Sequence, residues 1–183
     1  MNQATLRQIG GRLVDKWQNR FAMLMEESIL TTIASLLRPE DILLDMDVSS
    51  KGQLFSEIGL LMERDHGMRQ AWVAASLSRR EKVGSTGLGE GFAIPHARVK
   101  DLDRIQVAYV RLKQPIPFGS PDGNPVFELL VILVPKQAAE EHLRILADTT
   151  RMFSNRSFRE QLQRCSSPQE VKRLFDAWSL ASC

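Results

Sequence analysis

The longest apolar run of the chain, residues 126–134, constrains its fold more than any other segment. It reads Val-Phe-Glu-Leu-Leu-Val-Ile-Leu-Val, so Glu128 is its one polar residue. A helix that spans a bilayer needs roughly 18 or more apolar residues, and this run is far shorter. A short apolar run that ends at a proline is typical of a buried strand. The sequence therefore predicts a buried strand over residues 127–134 and no membrane insertion.

Helical and extended patterns alternate along the remainder of the chain. Extended segments are predicted at residues 42–46, 92–95 and 105–112. Apolar residues at helical spacing predict five helices: residues 2–37, residues 50–67 from the Ser50-x-x-Gln53 capping box to Gly67, residues 72–82, a segment after Pro135, and a last helix that opens at Ser167-Pro168. Helices mixed with a few strands predict an α/β fold, a sandwich in which helices flank a mixed β-sheet.

Two histidines belong to these predicted helices. His66 precedes Gly67 at the end of one helix, where we expect it to cap the helix C-terminus and not to bind a ligand. The apolar face of the helix after Pro135 is expected to hold Leu143, Leu146, Thr150 and Phe153. His142 then lies one position beside that face, at its boundary with solvent.

The chain is predicted to consist of an N-terminal helical extension, residues 1–28, and a main domain, residues 29–183. In the extension, Leu6, Ile9, Leu13, Trp17 and Phe21 follow helical spacing. Its polar face carries both signs of charge, whereas a helix bound to a membrane surface would show an excess of lysine and arginine. We therefore expect the extension to pack on the main domain or on a second copy of the chain, which would make a homo-oligomer.

The charge and the cysteines argue against several classes of function. Lysine and arginine total 24 and aspartate and glutamate 22, without a long run of one sign, which argues against nucleic-acid binding. Cys165 and Cys183 form no C-x-x-C pair and the histidines lack suitably spaced carboxylates, so we expect reduced thiols and no metal site. No apolar leader opens the sequence, and we expect a cytoplasmic protein without a cofactor.

Glycines crowd the loop from Gly84 to Gly91, as they do in many nucleotide sites. The first part of this loop fits the opening of a P-loop, but Glu90 stands where a P-loop needs lysine. The alternation of Gly87, Gly89 and Gly91 also departs from the G-x-G-x-x-G spacing of dinucleotide sites. Because the Glu90 carboxylate would repel a triphosphate, the sequence argues against a site for ATP or NAD.

The glycine-rich loop leads directly into an apolar segment that ends in a histidine. Pro95 has a fixed φ and no N–H, and it favours an extended conformation for Ile94. His96 is then expected at the strand end, beside the N–H groups of the loop, and Ala97 is too small to cover it. From these residues alone, His96 is either a reactive imidazole or a hydrogen-bonded histidine without a special role.

A resemblance to a known family separates these alternatives. Residues 80–97 read REKVGSTGLGEGFAIPHA, which resembles the active-site signature of type 2 IIA domains of the bacterial phosphotransferase system, with its fructose, mannitol and nitrogen-regulatory branches. The A-I-P-H core, the glycines and the R-E-K lead-in occur together and in order. The resemblance extends from about Ile29 to the C-terminus and includes Glu141-His142-Leu143. Ala97 stands where many members have glycine, which leaves the branch open.

The resemblance implies a mixed sheet flanked by helices and a role for each matching residue. His96 would carry a phosphoryl group, on Nε2, and His142 would be the second active-site histidine, hydrogen-bonded to that group. The Arg80 guanidinium is a candidate to bind the phosphate oxygens, since its fork of donors suits bidentate contact. The N–H groups of the loop are further candidates, at Ser85, Thr86, Gly87 and Gly89.

The resemblance implies a phosphocarrier with a phosphohistidine intermediate, and not an enzyme that turns over a small substrate. We expect the nitrogen-regulatory branch, in which the protein accepts phosphate from a phosphorylated HPr-like protein. It would then bind regulatory target proteins differently in its two charge states. One alternative is a fructose- or mannitol-specific IIA protein that passes phosphate to a IIB domain. The other is a binding module whose histidine no longer reacts.

Overall fold

The computed structural model describes residues 32–136 and 139–181. These residues contain six α-helices and six β-strands. The helices are α1 (Ile33–Leu36), α2 (Lys51–His66), α3 (Gln70–Val83), α4 (Ala139–Ser154), α5 (Arg156–Arg164) and α6 (Pro168–Ala181). The strands are β1 (Ile42–Met46), β2 (Gly87–Gly89), β3 (Phe92–Ala93), β4 (His96–Val99), β5 (Gln106–Ile116) and β6 (Val126–Pro135). A 3₁₀ turn, Pro39–Asp41, precedes β1.

The strands form one mixed sheet in the order β1-β5-β6-β3-β2, with β4 also paired to β6. β5 runs antiparallel to β6 on one side. On the other side, β3 and β4 both run parallel to β6, one after the other: β3 lies opposite Glu128 and Leu129, and β4 lies opposite residues 132–135. The prediction of an α/β fold with a mixed sheet flanked by helices is therefore confirmed.

β6 shows why the sheet needs helices on both faces. Leu129, Val131 and Leu133 are fully buried against the layer of α2 and α3. The alternate residues, Leu130, Ile132 and Val134, are equally buried in the second core, which contains residues of α1, α4, α5 and α6. Since successive side chains of a strand point to opposite faces, an unbroken apolar strand must be covered twice.

Glu128, the polar residue within the apolar run, anchors a buried polar network. Its Oε1 accepts hydrogen bonds from the Tyr109 hydroxyl at 2.7 Å and from Arg111 Nε at 3.0 Å. Arg111 also donates to the carbonyl oxygens of Leu162 and Cys165, at the C-terminal end of α5. Burial raises the pKa of Glu128, against the opposing hydrogen bond from Tyr109 and the charge of Arg111. The network joins the centre of the sheet to a helix.

The buried face of α4 differs from the prediction. The inward residues are His142, Ile145, Thr149, Met152 and Phe153, whereas the predicted members Leu143 and Thr150 are exposed. The prediction is confirmed for Phe153 and for Leu146, which is partly buried against the core, and it is wrong for Leu143 and Thr150. His142 consequently lies on the inward face and not at its boundary.

The structure also changes two other helix predictions. Thr32 is extended and caps α1, its side chain accepting from the Ser35 N–H, so the helix predicted over residues 2–37 does not run through Thr32. Residues 1–31 lie outside the described ranges, and the boundary at residue 29 stays a prediction. Helix α5 was missed, although Asn155 caps it by accepting from the Phe158 N–H. No helix within the described ranges has the length and apolar character that crossing a membrane requires.

The prediction for His66 is correct for the backbone and incomplete for the ring. Gly67 ends α2 with a φ of 66°, the left-handed conformation expected of a C-terminal cap. The imidazole, however, is buried, and its Nε2 lies 2.7 Å from Asp41 Oδ1 and 2.9 Å from Arg38 Nη2. His66 therefore fixes the turn before β1 to the end of α2.

Candidate functional site

His96 lies where the edge of the sheet is interrupted. β3 and β4 follow one another along β6, and the break between them falls at Ile94 and Pro95. Pro95 has no N–H to donate, but its carbonyl oxygen accepts a hydrogen bond from the Ile132 N–H at 2.9 Å. The segment therefore stays attached to β6. His96 is the first residue after the break, at the start of β4 rather than at the end of the preceding strand.

The hydrogen bonds of His96 define its reactive nitrogen. Nδ1 lies 2.9 Å from the Ile94 carbonyl oxygen, which accepts hydrogen bonds only, so Nδ1 carries the proton. Nε2 accepts from Arg80 Nε at 3.1 Å, and this N–H donates only. The ring is therefore held as the Nδ1–H tautomer, with its lone pair at Nε2 pointing to Arg80.

Arg80 is positioned by the end of the helix that carries it. It lies in the last turn of α3, and its Nη1 donates to the carbonyl oxygen of Gly84, the residue that caps the helix, at 2.9 Å. This bond fixes the guanidinium beside His96 and leaves Nη2 without a hydrogen bond to any described residue. Arg80, predicted as a phosphate ligand, thus lies in direct contact with the imidazole that would carry phosphate.

His142 approaches His96 from the opposite layer of helices. The two ring centroids are 5.5 Å apart, and His142 is 9% exposed. Its Nδ1 is buried and bonds to no described residue, so Nε2 is the nitrogen left for a group in the cavity. The two histidines, 46 positions apart in the chain, are thus brought together.

A cavity of about 420 Å³ opens beside the two rings. Three arginines line it, Arg79, Arg80 and Arg98, and no carboxylate is among the lining residues that the structure describes. Arg98 projects from the same face of β4 as His96, because the residue between them, Ala97, is buried in the core below α2 and α3. Arg79 and Arg98 were missed in the sequence, although spacing of two residues along a strand could have identified Arg98. The cavity is suited to an anion.

The predicted phosphate-binding loop does not line this cavity. The Thr86 N–H and hydroxyl both donate to the Glu81 carboxylate, and the Gly87 N–H donates to Ser85 Oγ. Gly87 and Gly89 belong to β2, which pairs with β3. In the structure these groups hold the loop against α3, and their contact with phosphate stays a prediction.

The surroundings of both histidines favour the neutral imidazole. Burial lowers the pKa of His96 below its ordinary value of 6.5; the Ile94 carbonyl opposes the shift, and the Arg80 charge adds to it. Burial likewise lowers the pKa of His142, together with the charges of His96, Arg98 and Arg80. A neutral imidazole keeps a free lone pair, so His96 Nε2 is a nucleophile at pH 7.

The pKa shifts predict a specific titration behaviour. We expect the ring signals of His96 and His142, followed by NMR as the pH is lowered, to show midpoints below 6.5. Because the folded state disfavours the imidazolium, phosphoryl acceptance by His96 should not fall until the pH drops below that value. In an Arg80→Gln control the midpoint of His96 should rise, since the neighbouring charge is removed. A midpoint above 6.5 in the unmodified protein would contradict the assignment.

Known proteins are similar to this chain in sequence and in fold. A family model described as "Phosphoenolpyruvate-dependent sugar phosphotransferase system, EIIA 2" matches residues 35–178. The nitrogen regulatory protein of Bradyrhizobium diazoefficiens is 34% identical over 139 residues, which cover 76% of this chain and 91% of that protein. The crystal structure of nitrogen regulatory protein IIA-Ntr from Neisseria meningitidis is similar with a TM-score of 0.74 and 43% identity, over 78% of this chain and 98% of the other.

A mannitol protein has the same fold at lower identity. The complex of enzyme IIA and phosphorylated enzyme IIB for mannitol from Escherichia coli contains a chain with a TM-score of 0.65 and 22% identity. The match covers 78% of this chain and 99% of the other. At this level of identity the likeness concerns the fold alone.

Proposed function

We propose, from the premise that this chain belongs to the EIIA 2 family of the phosphoenolpyruvate-dependent sugar phosphotransferase system, that it is a cytoplasmic phosphocarrier that reacts at His96. The family predicted from residues 80–97 is confirmed by the family match and by the relatives. The observation that carries the proposal is the geometry of one nitrogen. His96 Nε2 is unprotonated, reachable from an arginine-lined cavity, and 3.1 Å from a guanidinium N–H.

The reaction follows from the hydrogen bonds of His96. The lone pair of Nε2 attacks the phosphorus of a phosphohistidine on an HPr-like donor, and an N–P bond forms as the donor's N–P bond breaks. The electron pair of the broken bond stays on the donor imidazole. The Ile94 carbonyl keeps the Nδ1 proton in place and stabilises the positive charge that develops on the ring. No proton has to leave His96, so the step is readily reversed.

Arg80 changes its partner during this step. Before reaction its Nε–H points at the Nε2 lone pair, the position that the phosphorus must occupy. As the phosphoryl group arrives, the N–H turns from nitrogen to a phosphoryl oxygen, while the bond from Nη1 to the Gly84 carbonyl keeps the side chain in place. Charge spreads over the equatorial oxygens in phosphoryl transfer, so a fixed guanidinium stabilises the transition state.

The relatives favour the nitrogen-regulatory branch. The chain covers 91% of the Bradyrhizobium nitrogen regulatory protein and 98% of the Neisseria IIA-Ntr chain.

We infer that phosphorylation controls the binding of target proteins. Val83, which lines the cavity, is 84% exposed, and Leu143, which follows His142 on α4, is 67% exposed, so both offer apolar contacts to a partner. A phosphoryl group adds about −1.5 to −2 charges at this surface, which can abolish docking of an acidic partner.

Phosphorylation in a reconstituted system tests the proposal. The purified protein is incubated with phosphoenolpyruvate, enzyme I and an HPr-like donor, and its intact mass is measured. Gain of one phosphoryl group supports a phosphocarrier, and an unchanged mass would indicate a binding module. Adding purified IIB domains for fructose and mannitol then separates the branches. Rapid transfer to a IIB cysteine would favour the sugar-specific alternative.

His142 is expected to assist the reaction without carrying the phosphoryl group. Its Nε2 is placed to donate to a phosphoryl oxygen, and a hydrogen bond to a charged acceptor contributes on the order of 1.5–3 kcal/mol. The His142→Ala protein should therefore still be phosphorylated, but about 10- to 100-fold more slowly at saturating donor. Thr150→Ala, an exposed change on the same helix, is the control and should react at the normal rate. An unchanged rate for His142→Ala would show that His142 does not assist the reaction.

A further inference from the structure

A second and larger cavity, of about 630 Å³, lies at the other ends of the elements that carry the reactive site. It is formed by the end of α2, the start of α3 and the turn that follows β4, and we call it the Trp72 cavity. Its lining includes His66, Arg69, Trp72, Lys100, Arg104 and Gln106. It shares no lining residue with the cavity at His96. Its volume falls in the usual range of small-molecule sites.

Two polar side chains with low exposure, Gln106 and His66, line this cavity. Gln106 is 8% exposed, and its amide bonds to no side chain or backbone group within residues 32–136 and 139–181. The His66 side chain is 3% exposed; Asp41 and Arg38 occupy its Nε2, and Nδ1 has no described partner. The Gln106 amide is open to the cavity, so it is available to hydrogen-bond a ligand there.

The lining of the Trp72 cavity holds three cationic and three acidic side chains, and two of its arginines are unpaired. Arg69 stacks on the Trp72 ring, with its guanidinium carbon 4.7 Å from the ring centroid. Neither Arg69 nor Arg104 forms an ion pair with a described carboxylate. Of the acidic side chains in the lining, Asp65 is bound by Arg64 through two hydrogen bonds of 2.7 Å and Asp101 lies 3.9 Å from Lys100. This leaves one carboxylate of the lining, Asp103, beside the two unpaired arginines, Arg69 and Arg104.

We propose that the Trp72 cavity binds a small organic anion. A carboxylate or phosphate group of the ligand is held by Arg69 and Arg104, and the polar remainder accepts or donates hydrogen bonds at the Gln106 amide. Guanidinium groups recognise both kinds of oxyanion, because their donors match two oxygens at once. The site is separate from the phosphoryl chemistry, so its occupancy does not depend on reaction at His96.

Binding is tested on the full-length protein by NMR. The indole N–H signal of Trp72 is assigned with a Trp72→Phe variant, and the protein is titrated with succinate, with inorganic phosphate and with 1,4-diaminobutane. We expect a saturable shift of the Trp72 signal with succinate, with phosphate or with both. Comparing the two titrations shows whether the site recognises a carboxylate or a phosphate group. No shift is expected with the diamine. Since Trp72 does not line the His96 cavity, phosphate bound there would not produce this signal.

Variants decide whether the cavity is responsible. Arg104→Gln removes an exposed charge from the rim, and Gln106→Leu removes the buried amide at similar size; each should weaken binding at least about tenfold. Arg156→Gln, an exposed change on α5, is the control and should bind normally. If Gln106→Leu does not fold, Arg104→Gln decides alone. The proposal is overturned by a shift with the diamine only, by no shift with either anion, or by equal affinity in Arg104→Gln and the control.

Discussion

Replacing His96 with alanine is expected to abolish phosphoryl acceptance and to leave the fold intact. Nε2 of this residue is the nucleophile of the proposed reaction, and the charged side chains that share its cavity are guanidinium groups, which are not nucleophiles. The backbone of His96, and not its side chain, pairs with Ile132. The loss should exceed what removal of any other side chain in the cavity produces. The intact mass after incubation with donor measures it.

The chemistry of the adduct gives a second check on His96. A phosphoryl group on an imidazole nitrogen is lost in acid and retained in alkali, whereas one on a hydroxyl is stable in acid. Peptide mapping at neutral pH should place the group on the peptide that contains Pro95 and His96. An acid-stable adduct would point to Ser85 or Thr86, and a group on the His142 peptide would exchange the roles of the two histidines. An unchanged circular dichroism spectrum of His96→Ala shows that the fold is retained.

Arg111→Met is expected to cause the largest loss of stability, about 3–5 kcal/mol at pH 8. The change leaves the Glu128 carboxylate, which is fully buried, with Tyr109 as its remaining partner. It also removes the donors to the Leu162 and Cys165 carbonyls at the end of α5. Chemical denaturation at fixed pH measures the free energy of unfolding.

The pH dependence identifies the cause of this loss. Burial already raises the pKa of Glu128, and without the Arg111 charge that pKa rises further. Between the ordinary value and the raised one, the folded protein binds a proton that the unfolded chain has released, so stability falls as the pH rises through this window. The loss should therefore be smaller at pH 5 than at pH 8. Arg156→Gln serves as a control, and the double variant Arg111→Met with Glu128→Leu should recover part of the loss. A loss that is independent of pH would mean that the α5 contacts dominate.

The sequence predicted what local patterns determine. The strand around Val131, the helix capped by Ser50 and the stop at Gly67 follow from residues close together in the chain, and the structure contains each of them. His96 could be singled out because Pro95 and the glycine-rich loop are its immediate neighbours. In these cases, the residues that determine the conformation lie within the segment itself.

Features that depend on tertiary contacts were predicted less well. The buried face of α4 was predicted only in part, because its apolar positions fit two neighbouring registers, and packing against the core also buries His142 and Ile145. The pairing of His66 with Asp41 joins residues 25 positions apart, which no local pattern reveals. Arg98 became a candidate once β4 was seen to begin at His96, since the strand was expected to end there.

The placement of β3 and β4 along β6 has a consequence for synthesis of the protein. Residues 92–99 pair with residues 128–135, which leave the ribosome later because chains are made from the N-terminus. A nascent chain that ends before Val126 already contains His96 and Arg80, yet it lacks the strand that holds the Ile94-Pro95 break in position. β5 is likewise without its antiparallel partner until that point. The last third of the chain therefore decides when the histidine acquires its geometry, and a ribosome-bound fragment shorter than this should be open to proteases throughout residues 84–116.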